Sequence, residues 1–327
     1  MIESVVLALV KTIVLLAVLL GLFGFLVWVE RKMIARFQVR IGPNRVGPFG
    51  LLQLLADAIK LLFKEDTLPT GANKLMHALA PAVALVTALA IFAVIPFGEP
   101  VTLFGRQIEL WVADVDVALI YVLAMSSLSI YGIVLGGLSS NNKYSLMGGV
   151  RSSAQLISYE ISLGLALAGV AMLAGSLSLV QIVRAQDTPF ILLQPLGFIV
   201  FLIAGMAECS RPPFDLAEAD TELTGGFLTE YSGFKFSMFY MAEYLSMVAI
   251  CALITALYLG GWRGPFLPPL AWFVIKVAIL ILLFIWLRAT FPRFRYDRLM
   301  RFGWLILLPL SLVNIFVTAV WMIVLQV

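Results

Sequence analysis

Residues 2–29 read IESVVLALVKTIVLLAVLLGLFGFLVWV, and this apolar run decides the class of fold. A helix of about 20 apolar residues crosses the hydrocarbon core of a bilayer. The run is too long for a secretory signal, Lys11 interrupts it, and no small-residue cleavage pattern follows it. We therefore expect the first transmembrane helix here, and not a segment that is removed.

Runs of the same kind recur along the chain and predict an all-α integral membrane protein with a single membrane domain, residues 1–327. Of the 327 residues, 62% are hydrophobic and 13% are charged. About 25% charged residues are usual in soluble domains, so this composition excludes a soluble globular fold. We expect eight transmembrane helices, at roughly 3–29, 75–96, 115–138, 152–176, 189–207, 236–260, 266–289 and 303–326.

The composition also limits the chemistry of the chain. A net charge of only +3 does not indicate a nucleic acid partner. The chain has two cysteines, Cys209 and Cys251, and one histidine, His77. Iron–sulfur clusters and zinc sites usually take about four such ligands, so we expect no redox centre and no metal site. Any electron transfer must then involve a mobile cofactor or a partner subunit.

The loops between the predicted helices differ in their content of Lys and Arg, which sets the orientation of a membrane protein. Loops after the first, third, fifth and seventh helices carry seventeen of these residues, whereas the other loops carry three. We therefore expect cytoplasmic loops that include residues 30–74, 208–235 and 288–302. Both termini should lie on the outer, periplasmic side.

The first of these loops contains an amphipathic segment between Phe49 and Asp66. Gln53, Asp57, Lys60 and Lys64 are spaced by four, three and four residues, which puts them on one stripe of an α-helix. Apolar residues cover the rest of the helix, as in helices that lie in the membrane interface. We expect a platform at a lateral opening to the lipid, and the alternative is a helix that simply packs against the bundle.

The loop at 208–235 is acidic, with six acids and a single base, Arg211, in residues 208–230. Clustered carboxylates beside a bilayer raise one another's pKa, which suits proton handling. Pro212-Pro213 and Gly225-Gly226 predict an irregular segment that folds back onto the helices. The acids are Glu208, Asp215, Glu218, Asp220, Glu222 and Glu230.

Charged residues also lie within the predicted spans or at their ends: Glu160, Glu208, Glu243 and Lys276. A charged side chain at membrane depth costs at least about 2.5–3.5 kcal/mol. A buried structural hydrogen bond would explain any one of them. The three acids, taken together with the acidic loop, indicate instead a chain of ionisable groups that passes protons or transmits charge.

The loop at 288–302 is basic, and it lies on the same predicted side as the acidic loop. Opposite charges on one side suit the docking of a soluble partner or pairing across a cavity. The alternative is a solvated basic helix end. The basic residues are Arg288, Arg293, Arg295, Arg298 and Arg301.

Nine segments, in order along nearly the whole chain, carry a resemblance to a known family. They are Glu30–Lys32, Arg40–Pro48, Ala56–Lys60, Phe63–Asp66, Ser139–Tyr144, Ala154–Glu160, Arg211–Glu218, Thr229–Gly233 and Pro292–Asp297. In this order they closely resemble the H subunit of the proton-pumping NADH–quinone oxidoreductase, respiratory complex I (mitochondrial subunit 1). No single motif would suffice, but nine in family order make chance implausible.

The resemblance implies roles for particular residues. In the family, the first helix, the interfacial helix and the sixth helix frame the entrance of a quinone chamber. The residues that match the chamber are Glu30, Arg31, Arg40, Asp57, Asp215, Glu218, Asp220, Glu222, Glu230, Arg293, Arg295 and Asp297. The residues that match a buried proton path are Glu160, Glu208 and Glu243.

The resemblance further implies a multi-pass subunit of the bacterial plasma membrane that admits quinone from the lipid and couples its reduction to proton translocation. Ubiquinone or menaquinone would be the substrate. FMN and iron–sulfur clusters would belong to soluble NADH-oxidising partner subunits on the cytoplasmic side. Antiporter-like membrane subunits and membrane lipid would be the other partners.

Other functions remain open at this point. The same fold would serve as the membrane subunit of an energy-converting hydrogenase or of an F420H2-type dehydrogenase, with another electron donor or acceptor. A proton-coupled secondary transporter should show inverted repeats and a discontinuous helix, and neither is clear in the sequence. A passive anchor for a soluble enzyme would tolerate neutralisation of the buried acids.

Overall fold

The computed structural model describes residues 2–103, 106–215 and 225–325. The longer helices are α1 (Ile2–Phe37), α3 (Lys74–Ile91), α4 (Ala118–Ser139), α5 (Lys143–Ala174), α9 (Gly233–Tyr258), α10 (Pro269–Thr290) and α12 (Leu308–Leu325). The shorter helices are α2 (Gln53–Phe63), α6 (Leu179–Ala185), α7 (Phe190–Leu193), α8 (Pro195–Glu208) and α11 (Tyr296–Phe302). A π-helical segment, Gly303–Leu307, joins α11 to α12. Strands β1 (Val101–Leu103) and β2 (Arg106–Ile108) pair antiparallel, a small hairpin that the apolar runs do not predict.

Within the described residues, seven helical segments are long and apolar enough to cross a membrane, which confirms an all-α membrane protein. The remaining predicted span, 189–207, contains α7 and the 14-residue helix α8. At 1.5 Å per residue, α8 is about 21 Å long. The hydrocarbon core is about 30 Å thick, so α8 alone does not cross it. The count of eight spans therefore stays a prediction.

Helix α9 forms the centre of the bundle. Every residue from Met247 to Tyr258 is buried, as expected for a helix that is apolar on all sides and packed among other helices. Helix α1 differs, because side chains such as Ile13 and Val18 remain exposed along its length. Exposed apolar side chains on a helix of this length fit a surface that faces lipid.

Helices α3, α4 and α5 approach closely because glycine stands at their contacts. A Cβ added at Gly132 on α4 would lie 2.9 Å from the Ala80 carbonyl oxygen on α3. A Cβ at Gly137 would lie 2.8 Å from the Ser145 carbonyl oxygen on α5. Small residues let the backbones of membrane helices pack against each other. This packing fixes one wall of the cavity that contains the candidate site.

The buried charge predicted at Lys276 has a structural explanation. Its Nζ donates to the carbonyl oxygens of Leu259 at 2.7 Å, Gly261 at 2.9 Å and Arg263 at 2.8 Å. These oxygens follow the carboxyl end of α9, where backbone carbonyls lack helical partners and attract cations. Lys276 therefore closes the end of α9, and the structural alternative holds for this residue.

Helix α2 forms inside the predicted amphipathic segment. Asp57 accepts hydrogen bonds from Gln53 Nε2 at 2.8 Å and from Arg31 Nη1 of α1 at 2.7 Å. Leu55 and Ile59 on the apolar side of the helix remain exposed. The helix is thus amphipathic and attached to α1, while its position at a membrane surface stays a prediction.

Candidate functional site

Arg211 is the centre of a buried ion cluster, which we call the arginine cluster and which consists of Arg211, Glu30, Glu243 and Arg288. Arg211 Nη1 donates to Glu30 Oε2 at 2.7 Å, and Arg211 Nε donates to Glu243 Oε1 at 2.9 Å. Arg288 donates to Glu30. The guanidinium carbon of Arg211 lies 4.0 Å from the ring centroid of Tyr244. The cluster therefore ties α1, the loop after α8, α9 and the last turn of α10 together.

The charges of the arginine cluster balance, with two acids and two bases. Only 3% of Arg211 is exposed. Burial lowers the pKa of Arg211, but Glu243 and Glu30 outweigh burial and hold that pKa well above its usual range. Arg211 is therefore permanently charged. A buried charge that loses its partner costs about 3–5 kcal/mol, so each member of the cluster depends on the others.

Glu160, Glu208 and Glu243 line a single cavity of about 90 Å³, which we call the carboxylate cavity. The acids come from three elements: α5 supplies Glu160, α8 ends with Glu208, and α9 supplies Glu243. The cavity has room for several water molecules, which need polar partners. Four serines also line the cavity and could supply such partners: Ser126, Ser129, Ser210 and Ser246.

The partners of Glu160 and Glu208 are not cations. Glu160 Oε1 accepts hydrogen bonds from Ser126 Oγ at 3.4 Å and from Ser127 Oγ. Glu208 Oε2 is buried without a hydrogen-bond partner in the described part of the chain. Buried acids that lack a nearby cation are poorly stabilised as anions. These two carboxyls therefore differ from Glu30 and Glu243, which both pair with Arg211.

Glu243 belongs to both groups, since it bonds to Arg211 and also lines the carboxylate cavity. It is therefore the point at which a change in the arginine cluster can reach the other two acids.

Comparisons with known proteins agree on one family. Residues 10–319 match the family model described as NADH dehydrogenase. The chain is 56% identical over 312 residues to an NADH-quinone oxidoreductase H subunit (numbered 2) of Syntrophobacter fumaroxidans, covering 95% of this chain and 94% of that protein. It is 54% identical over 319 residues to an H subunit (numbered 1) of Geobacter metallireducens, covering 97% of each. The chain belongs to the H-subunit family of NADH-quinone oxidoreductase.

Membership of this family makes the chain a subunit of an oxidoreductase complex. In the described residues, no group of three or more His, Cys, Asp or Glu side chains could hold a metal ion.

The residues predicted for the chamber fall into several separate contacts. Arg31 pairs with Asp57 at 2.7 Å, and Arg295 pairs with Asp297 at 3.2 Å, both partly exposed. Glu30 lies instead in the arginine cluster, next to an acid of the predicted proton path.

Asp215 and Glu230, two acids of the loop at 208–235, both have polar partners. Buried Asp215 pairs with Arg293 at 3.0 Å. Glu230 accepts a hydrogen bond from Asn142 Nδ2 at 2.6 Å. Arg40 is exposed, and the described residues supply no ion pair or hydrogen bond to its side chain. Three predicted chamber residues lie outside the described residues: Glu218, Asp220 and Glu222.

Two members of the arginine cluster were not predicted as site residues. In the sequence, Arg211 stands out only as the single base in the acidic loop, and Arg288 groups with the basic loop. The useful signal is a charge opposite to that of its neighbours in the sequence, since Glu30 is an acid among bases and Arg211 is a base among acids. Ser126 and Ser127 carry no comparable signal, because serine is ordinary in a membrane helix.

Proposed function

We propose that the chain is the quinone-chamber subunit of its complex: it admits quinone from the bilayer and couples quinone reduction to proton translocation through buried carboxylates. The observation that carries this proposal is the double role of Glu243, which pairs with Arg211 and lines the carboxylate cavity. The names of the relatives, which include quinone as a reactant, support the substrate class.

The coupling would depend on competition between Glu30 and Glu243 for the guanidinium of Arg211. Reduction of a quinone to quinol consumes two electrons and two protons, so the charge near the chamber changes during the reaction. Arg211 serves both Glu30 and Glu243. If a charge change draws Arg211 towards Glu30, Glu243 loses its cation and is neutralised by a proton from the cavity. The return of Arg211 would expel that proton towards Glu208 and Glu160.

The entrance for quinone would lie between α1, α2 and the start of α9. The Arg31–Asp57 pair holds α2 against α1. On the other side, Ser232 Oγ donates to the Glu65 carbonyl oxygen at 3.0 Å and accepts from the Thr67 backbone N–H at 2.9 Å. Held near its middle by Arg31 and just after its carboxyl end by Ser232, α2 would form a platform along which an apolar molecule reaches the chain from the lipid.

The proposal includes the orientation and surroundings of the chain. Eight spans, with both termini on the periplasmic side of a bacterial plasma membrane, would put the acidic and basic loops in the cytoplasm. Soluble subunits that carry FMN and iron–sulfur clusters would deliver electrons there. Antiporter-like membrane subunits would receive the coupled charge or proton signal on the far side of the carboxylate cavity.

The experiment is a Glu160→Gln substitution in the assembled complex, reconstituted into vesicles. Because Gln cannot carry the proton, we expect proton translocation to fall to a small fraction of that of the unsubstituted complex, with slower quinone reduction. Asp187→Asn is the matched control, since Asp187 is almost fully exposed. Unchanged quinone reduction and unchanged pumping in Glu160→Gln would contradict the proposal and favour a passive anchor.

A further inference from the structure

A second, larger cavity lies on the opposite side of α8 from the carboxylate cavity. Its volume is about 740 Å³, within the range of about 300–1,000 Å³ that small-molecule sites occupy. Met206 of α8, Phe214 of the acidic loop and Phe291 after α10 form part of its wall. Phe302 and Leu305, at the junction of α11 with the π-helical segment, form another part. We call it the apolar cavity.

The apolar cavity opens at the surface of the helix bundle. Ile199, Leu305 and Ile306 line it and are 50%, 71% and 49% exposed. They lie on α8 and on the last predicted span, so in a bilayer their exposed sides would face the hydrocarbon. An amphiphile can therefore enter from the membrane without crossing water.

Two arginines, Arg298 and Arg301, also line this cavity. They are three residues apart on α11, which places them on the same face of the helix. Both are exposed, and the described residues supply no ion pair to either. Their neighbours differ, because Arg293 pairs with Asp215 and Arg295 pairs with Asp297. Arg298 and Arg301 therefore put two positive charges at one end of a cavity that is otherwise apolar.

We infer that the apolar cavity binds an anionic phospholipid, with an acyl chain inside the cavity and the phosphate on Arg298 and Arg301. Charge complementarity selects this occupant, because a neutral lipid or a quinone would bring no anion to either arginine. Arginine binds phosphate oxygens in a bidentate manner, and basic pockets between membrane helices suit anionic headgroups. This inference does not depend on the proposed proton path.

The bound lipid would brace the acidic loop. Phe214 lines the apolar cavity, and its carbonyl oxygen accepts from Gln155 Nε2 of α5 at 2.7 Å. The next residue is Asp215, which pairs with Arg293. An acyl chain in contact with Phe214 would thus help to hold Phe214 and Asp215, which belong to the loop at 208–235, in place.

The test uses the assembled complex in detergent and phosphatidylglycerol with a photoreactive group on its acyl chain. After irradiation, mass spectrometry maps the labelled peptides. We expect labels on peptides that contain Ile199–Met206 and Phe302–Ile306. Phosphatidylcholine with the same photoreactive chain is the headgroup control. From about 1 kcal/mol per basic residue near an anionic lipid surface, each arginine should contribute about fivefold to labelling by phosphatidylglycerol.

Four variants separate the contribution of the headgroup from that of the cavity. Arg298→Gln with Arg301→Gln should lower labelling by phosphatidylglycerol more than Arg298→Lys with Arg301→Lys, which keeps the two charges but not the bidentate contacts. Arg295 lies only three residues before Arg298 but does not line the apolar cavity. Arg295→Gln should therefore leave labelling unchanged. Leu202→Trp should narrow the cavity and lower labelling by both lipids. Equal labelling by both lipids, no loss in the double Gln variant, or cross-links to another subunit at these peptides would overturn the inference.

Discussion

The arginine cluster and the carboxylate cavity both contain buried acids, yet they treat them in opposite ways. Glu30 contacts two arginines, so its charge is fully compensated inside the bundle. Glu160 receives only serine hydroxyls, and Glu208 has a buried oxygen without a partner among the described residues. The comparison teaches that depth alone does not assign a role to an acid. The partner decides whether the acid holds the fold or is free to change its protonation.

The largest effect on assembly and stability is expected when a positive charge is removed from the arginine cluster. Arg211→Gln leaves the carboxylates of Glu30 and Glu243 with less positive charge, and breaking such a buried pair costs about 3–5 kcal/mol. We expect a much lower yield of assembled complex and a lower melting temperature of what remains. Arg295→Gln is the control, because its ion pair is exposed and is worth about 0–1 kcal/mol. Equal assembly of both variants would show that the arginine cluster is not structural.

The next effect separates stability from proton transfer in the carboxylate cavity. Glu208→Gln keeps the shape of the side chain and removes a buried acid that no cation compensates, so stability should be equal or higher. Proton translocation should nevertheless fall to a small fraction of that of the unsubstituted complex. Vesicles with a pH-sensitive dye measure translocation, and thermal unfolding measures stability. A variant that pumps normally would remove Glu208 from the path.

A smaller effect is expected from the serines that contact Glu160. Ser127→Ala removes a hydrogen bond to a carboxyl group, which contributes about 1.5–3 kcal/mol when the acceptor is charged. Ser129→Ala is the matched control, because Ser129 lines the same cavity without a bond to Glu160. We expect slower proton translocation only in Ser127→Ala. If both variants behave alike, the hydroxyl of Ser127 does not position Glu160.

The smallest effect is expected at the Arg31–Asp57 pair, where about half of the Arg31 side chain is exposed. A double-mutant cycle with Arg31→Gln and Asp57→Asn should give a coupling free energy of about 0.2–1 kcal/mol that decreases with salt. Thermal unfolding at low and high ionic strength provides the measurement. A coupling of several kcal/mol would mean that α2 is held as strongly as the buried cluster.

The sequence predicted local features better than it predicted contacts. Apolar runs located α1, α9 and α10, because hydrophobicity is a property of neighbouring residues. The length of α8 was overestimated, since the apolar run at 189–207 is broken into α7 and α8 around Gln194. The partners of Glu30 lie 181 and 258 residues away, at Arg211 and Arg288. No periodic pattern of residues in the sequence predicts a contact between residues so far apart.

The candidate site shows the same limit. Composition and span positions singled out Glu160, Glu208 and Glu243, and the structure places all three on one cavity. Their different surroundings could not be predicted, because they depend on which helices pack beside α9. That the three acids carry protons stays a prediction.

Infrared difference spectroscopy of the assembled complex during quinone reduction tests the central claim most directly, because protonated carboxyl groups have their own C=O stretching band. We predict a change in this band on quinone reduction that is lost in Glu160→Gln and in Glu208→Gln and retained in Asp187→Asn. If the band change persists in a variant that carries both Gln substitutions, the acids without cations do not change protonation, and the account is contradicted.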